Sequence, residues 1–221
     1  MAKNKLKKFA EITKLNHVFE PSLDELKSSF KMKGNWNNNF FKNNNPIVLE
    51  LGCGKGEYSV ALAKKYPNKN FIGIDIKGAR IWKGASDVLN ENLDNVAFLR
   101  IRIEWIKECF ECDEIDEIWI TFPDPQIKKR RETKRLTHPN FLDKYRAILK
   151  KHGIIHLKTD SEFLYGYTTG ILSSKNYVIH DATNDLYSAS HVREDLDIKT
   201  FYESKFLKDN SPITYLKFSL L

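Results

Sequence analysis

The chain has 221 residues, 41% hydrophobic and 29% charged, with three cysteines and a formal net charge of +7. That size and balance suit one ordinary domain with a full core, and three cysteines exclude a disulfide framework. No apolar run approaches the length of a membrane span and no signal-peptide core follows the basic start, so a cytoplasmic location is expected.

The positive charge is local. Residues 1–14 carry five lysines and one glutamate, residues 126–135 carry six basic residues and one glutamate, and the remainder is slightly acidic. Two such clusters are the footprint expected of a polyanionic partner, against the plainer reading of a solvated tail and a charged loop.

Up to Pro46 the only clear element is Ser22 to Phe30, where Ser22 and Glu25 form a capping box and Leu23, Leu26 and Phe30 share a face. An Asn-rich linker from Asn35 to Asn45 follows, carrying Trp36, Phe40 and Phe41. Residues 1–45 read as a basic N-terminal extension, too small and polar for a core of its own, and residues 46–221 as the main domain.

The domain opens with IVLELGCGKGEY at 47–58. Ile47 to Leu51 is a short apolar, partly β-branched run that predicts a buried strand. Gly52, Gly54 and Gly56 let the backbone turn sharply and approach a ligand, and a helical pattern begins at Glu57. A strand, a glycine turn and a helix N-terminus suit a nucleotide-like ligand. A P-loop needs Ser or Thr after Gly-Lys, which is absent here, and a dinucleotide site needs a third glycine where Glu57 stands. The pattern E-x-G-x-G-x-G fits an S-adenosylmethionine pocket, with Glu50 holding the cationic amino-acid end of the cofactor. A carboxylate inside an apolar strand needs such hydrogen-bonding partners. The bland alternative is a glycine turn that binds nothing.

Phe71 to Asp75 predicts a second strand ending in a carboxylate suited to ribose hydroxyls. An amphipathic helix follows over Lys77 to Leu93, then strands at Val96–Ile101 and Glu117–Phe122. A helix from Pro139 to about Lys151 leads to a strand at Gly153–Thr159, a helix over Ser161–Ser174, and strands at Tyr177–His180 and Ile213–Phe218. The expected fold is α/β: a Rossmann-like, mainly parallel seven-stranded sheet with helices on both faces. Ligands then bind at the carboxyl ends of the strands. There the fourth strand runs into Phe122-Pro-Asp124-Pro125, whose prolines fix the aspartate, followed at once by the basic cluster.

The chain resembles the tRNA (guanine-N7-)-methyltransferases from about Ile47 to its C-terminus. The likeness rests on ELGCGKG at 50–56, GID at 73–75, FPDP followed by KKRR at 122–131, Lys158-Thr-Asp160 and Thr200-Phe-Tyr-Glu203. It makes 46–221 an S-adenosylmethionine-dependent methyltransferase domain acting on N7 of the guanine at position 46 in the tRNA variable loop. It implies that Glu50, Gly52, Gly54, Gly56, Asp75, Arg102 and Asp124 hold the cofactor and that Asp124 is catalytic. Lys128, Asp160, Thr200, Tyr202 and Glu203 would bind the substrate, with Lys129, Arg130, Arg131, Lys134 and Arg135 on tRNA phosphates. Two positions depart from the family pattern. Gln126 and Ile127 stand where tryptophan and proline are usual, and Arg102 stands where an acidic or amide residue often meets the adenine.

The expected partner is tRNA, with no membrane and no metal, and the chain is expected to act as a monomer or homodimer. Cys109 and Cys112 are half of a zinc spacing without a second pair. His17, His138, His152, His156, His180 and His191 show no metal or nucleophile spacing. Trp36, Trp82, Trp105 and Trp119 read as packing residues, with base stacking by Trp36 as the alternative. Ser188 to Glu194 is a polar stretch read as a loop over the site. Two rival functions stay open: a non-catalytic RNA-binding protein on the same fold, and a methyltransferase for a protein or small molecule.

Overall fold

The computed structural model describes residues 2–28, 30–188, 195–209 and 211–220, with only the backbone for residues 2–4 and Tyr202. The strands are β1 (Val18–Phe19), β2 (Ile47–Leu51), β3 (Asn70–Ile74), β4 (Val96–Leu99), β5 (Ile115–Thr121), β6 (Leu149–Thr159), β7 (Val178–Thr183) and β8 (Thr214–Ser219). The helices are α1 (Ala2–Ile12), α2 (Leu23–Ser28), α3 (Glu57–Lys65), α4 (Gly78–Asn90), α5 (Ile106–Cys109), α6 (Pro139–Arg146), α7 (Glu162–Ser174) and α8 (Phe201–Lys208).

One sheet takes the order β1-β4-β3-β2-β5-β6-β8-β7, with β8 antiparallel to both its neighbours and the other pairings parallel. It has eight strands, not the expected seven. The extra one is Val18–Phe19, which adds to the free edge of β4 through Phe98 N–H to His17 O and Arg100 N–H to Phe19 O. Two residues carry no period of their own, so only the exposed ladder of β4 makes them a strand.

All five residues of β2 are buried, as parallel strands covered on both faces require. Alternate side chains feed two cores. Leu49, Leu51, Ile72, Ile118 and Ile120 pack against α5, α6 and α7, while Val48, Phe71, Phe98 and Trp119 pack against α3 and α4. Each such fully buried aliphatic or aromatic side chain contributes about 1.5–3 kcal/mol.

The first core also takes in Leu26, Met32, Trp36 and Phe41 from the N-terminal segment. Trp36 is 0% exposed, stacks on Phe110 and donates its indole N–H to Cys109 O at 3.1 Å, so it is a core residue and not a base-stacking one. The Asn-rich stretch coils into a π-helical turn over Asn37–Phe41, tied to the sheet where Asn70 Nδ2 donates to Asn37 and Asn43 at 2.7 Å. The capping box of α2 forms in both directions: Ser22 N–H donates to Glu25 and Glu25 N–H to Ser22 Oγ.

α6 ends at Arg146, short of the expected Lys151, because Leu149 already pairs with Ile115 as the start of β6. Three of these helices, α1, α5 and α8, lack a sequence forecast. α1 packs on α4, where Ile12 is 0% exposed and Trp82 donates to Glu11 at 2.5 Å. α8 is capped by the Thr200 hydroxyl, which accepts from Glu203 N–H. Among the described residues no helix is long and apolar enough to cross a membrane.

Candidate functional site

The register pairs Leu51 with Ile74 on one side and Ile120 on the other, so the glycine turn emerges between the tips of β3 and β5. Its three glycines have positive φ values of 76°, 57° and 71°. They differ in what surrounds them. A Cβ on Gly52 or Gly54 would meet nothing closer than 4.0 Å, so these two face open space. A Cβ on Gly56 would lie 2.5 Å from the Phe98 ring, so this glycine seats α3 against β4.

Glu50 is 4% exposed and both its carboxylate oxygens accept hydrogen bonds, which leaves one lone pair on Oε1. One oxygen accepts from Ser59 N–H at 2.9 Å and from the Ser59 hydroxyl, the other from the Thr121 hydroxyl at 2.8 Å. Burial pushes its carboxyl up to about 7, against the opposing pull of those hydrogen bonds. Asp75, at the tip of β3, accepts from Gly54 N–H at 2.9 Å and Lys77 N–H at 2.8 Å. These bonds use one lone pair on each oxygen and aim the others outward.

Two cavities meet at this edge and share Gly52, Arg80 and Phe122 as walls. The smaller, about 80 Å³, lies over the turn between Glu50, Tyr58, Thr121 and Thr200. The larger, about 620 Å³, runs past Asp75, Ile101, Arg102, Glu104, Asp124 and Phe141, with Arg131 and Lys134 on its rim. The residues fit S-adenosylmethionine. There is an open glycine cradle, a buried carboxylate beneath it and an anchored carboxylate at the strand tip, with an apolar floor alongside. Arg102 is exposed and pairs with Glu104 at 3.1 Å, which draws that carboxyl below its usual range although burial opposes the shift.

Asp124 is exposed at the mouth of the larger cavity, where one oxygen accepts from Gln126 N–H at 3.1 Å. It is flanked by two left-handed residues, Phe122 and Gln126, each with φ 47°. Such backbone persists only where surrounding contacts hold it, and it concentrates at functional sites. The neighbouring tip carries Asp160, half-buried, whose carboxyl is raised by burial. Phe122 N–H donates to Lys158 O, which sets the two tips side by side.

The basic cluster divides. Lys128, Lys129, Arg130, Arg131 and Lys134 are exposed, most of them on a single 3₁₀ turn. Arg135 points inward with its side chain 5% exposed, which does not suit the expected phosphate contact.

The Thr200–Glu203 stretch also divides. Thr200 reaches the smaller cavity, but Glu203 is 0% exposed and pairs with the equally buried Lys158 at 2.7 Å. A direct substrate contact by Glu203 therefore gives way to an internal one in this structure. Lys158 also donates to Leu196 O at 2.5 Å and Ile198 O at 3.3 Å, and Tyr187 donates to Glu203 at 2.6 Å. With Tyr58 donating to Asp195 O and Phe201 N–H to Glu57, the segment 195–203 is strapped over the glycine turn. The Tyr202 side chain and residues 189–194 of the expected Ser188–Glu194 loop lie outside the described residues.

Arg80, Ser59 and Thr121 line or brace the site without having been singled out in the sequence. Arg80 alone had a signal, one turn into the helix after GID. The two hydroxyls have none without the fold.

Relatives match this chain throughout. The family model described as putative methyltransferase matches residues 44–216. A tRNA (guanine-N(7)-)-methyltransferase of Christiangramia forsetii is 54% identical over 99% of both chains. One of Bacteroides fragilis is 50% identical, covering 100% of this chain and 87% of its own. Among solved structures, a 30S ribosomal A1408 methyltransferase from an uncultured bacterium superposes with a TM-score of 0.59 at 22% identity, over 82% of this chain and 90% of that one. A 16S rRNA methyltransferase does so with 0.60 at 12% identity, over 79% and 87%. At such identities these two speak for the fold alone.

Proposed function

The chain belongs to the tRNA (guanine-N(7)-)-methyltransferase family, and from that premise we propose that it methylates N7 of the variable-loop guanine at position 46. S-adenosylmethionine is the donor, and when bound it supplies an electrophilic methyl to the N7 lone pair, leaving a thioether and a cationic purine. The observation that carries the reading is one cavity lined by both Asp75 and Asp124 and rimmed by Arg131 and Lys134. A cofactor site and a polyanion site share that opening.

Neutral guanine already has a lone pair at N7, so no proton has to leave before attack. The protein's task is placement. Asp124 accepts from the guanine N1–H and amino group, holds N7 in line and offsets positive charge developing on the ring. Asp160, on the adjacent strand tip, is the second acceptor for the base edge. Glu50 and Asp75 hold the cofactor ends, with Gly52 and Gly54 giving close approach, Thr200 closing the turn and Arg102 bordering the adenine. Lys128, Lys129, Arg130, Arg131 and Lys134 grip phosphates, a salt-sensitive contribution independent of sequence.

Methyl transfer from labelled S-adenosylmethionine to unmodified tRNA transcripts, mapped by borohydride–aniline cleavage, tests the reaction. Cleavage at the variable-loop guanine, lost when that base is changed, is expected. Label without cleavage would mean a different acceptor atom, and bound tRNA without label would mean a binding protein.

The Glu50 carboxyl adds a pH signature. With a value of about 7 in the free protein, it is largely protonated below neutrality. A cationic ligand lowers that value, so the bound state holds fewer protons and affinity rises with pH up to about 7. Calorimetry at pH 6.5 in buffers of differing ionisation enthalpy should show proton release on S-adenosylmethionine binding. Glu50→Gln should abolish that release, and an unchanged release would move the proton to another group.

A further inference from the structure

We infer that Arg135 is a positioning residue for the Asp124 loop and not a ligand of tRNA phosphate. The inference rests on the proposed guanine-N7 reaction, since Asp124 is the group it positions. Its guanidinium donates from Nε and Nη2 to Gln126 O at 3.3 and 3.2 Å, and from Nη2 to Ile127 O at 3.4 Å. Its third nitrogen, Nη1, lies 3.4 Å from Glu132. The guanidinium also packs over two rings, its carbon 4.3 Å from the centre of Tyr167 and 4.8 Å from that of Phe163. Five fixed donors on a flat, weakly hydrated cation suit this site, which an ammonium could not fill.

The contacts form a relay to the carboxylate. Arg135 fixes the Gln126 carbonyl, and the amide N–H of the same residue donates to Asp124 Oδ1 at 3.1 Å. Gln126 sits at φ 47°, a conformation with an intrinsic cost for a residue bearing a side chain. Arg135 offsets that cost, so without it the loop relaxes and Asp124 leaves its aim at the cavity.

The test compares Arg135→Lys and Arg135→Met with Lys134→Met, an exposed rim residue. Arg135→Lys keeps the charge but loses the fork. A positioning role predicts that its kcat falls at least ~10-fold, since small misplacements at a reacting centre are costly. Its KM for tRNA and the slope of log affinity against log salt should stay unchanged. Lys134→Met should instead raise KM for tRNA and reduce the salt slope by about one. Wild-type turnover in Arg135→Lys, or a lowered salt slope in Arg135→Met, would overturn the inference. Amide exchange at residues 124–128 in Arg135→Lys reads the loop directly, whatever base the enzyme modifies. Faster exchange than in the unaltered protein is expected, with thermal unfolding and S-adenosylmethionine binding measured on the same sample to show the domain intact. Unchanged exchange would overturn the relay even if the acceptor proved not to be guanine N7.

Discussion

Replacing Asp124 with alanine should lower kcat for methyl transfer by about 100- to 1,000-fold, the range lost when one preorganised electrostatic partner is removed. Affinity for tRNA should stay close to that of the unaltered protein, because binding is carried by phosphate contacts from the exposed cluster. S-adenosylmethionine should still bind, since Glu50, Asp75 and the glycine turn are untouched. The geometry makes the effect separable. Asp124 is exposed, makes a local hydrogen bond to Gln126 N–H and sits outside the core, so its loss should not unfold the domain. Single-turnover rates with saturating tRNA, beside filter binding, would decide it. Turnover near that of the unaltered enzyme would remove Asp124 from the reaction.

Lys158→Met is expected to destabilise the fold by about 3–5 kcal/mol, the cost of leaving one partner of a buried ion pair behind. Both side chains are 0% exposed. The ammonium is drawn below its usual pKa by burial, against the opposing pull of Glu203. Removing it strands the Glu203 carboxylate, one oxygen of which, Oε2, has no hydrogen-bond partner among the described residues. It also frees the carbonyls of Leu196 and Ile198, so the strap carrying Thr200 should loosen with it. The double variant Lys158→Met, Glu203→Gln should recover much of the loss, because no buried charge is then left unpaired. Urea unfolding of the single and double variants measures both. A single-variant loss of only ~0–1 kcal/mol, as for exposed pairs, would mean that water reaches the pair.

The Asp124 prediction draws on residues that sequence alone brings to notice, and the Lys158 prediction on a pairing that it does not. IVLELGCGKG, GID and FPDP are legible because strand period, glycine turns and proline-stiffened loops are local properties, written within a few residues. Their sharing of one edge follows from parallel strands joined by helices. Local chemistry therefore determined the α/β class, the cofactor turn and the acidic strand tips.

Tertiary structure decided which side chains of a motif face the ligand and which face the protein. KKRRETKR reads as one cationic run, yet Arg135 turns inward because the carbonyls of Gln126 and Ile127 and the rings of Phe163 and Tyr167 are waiting there. Glu203 looks like a ligand-binding acid until the fold brings it to Lys158. Trp36 reads as a packing residue with base stacking still open until Phe110 covers it, and Val18–Phe19 has no pattern at all until β4 offers an edge. Most of the deciding partners are distant in sequence, and even Gln126 and Ile127 meet Arg135 only through the folded loop. Burial of a charge or an aromatic ring depends on what meets it in space, and no local period encodes that.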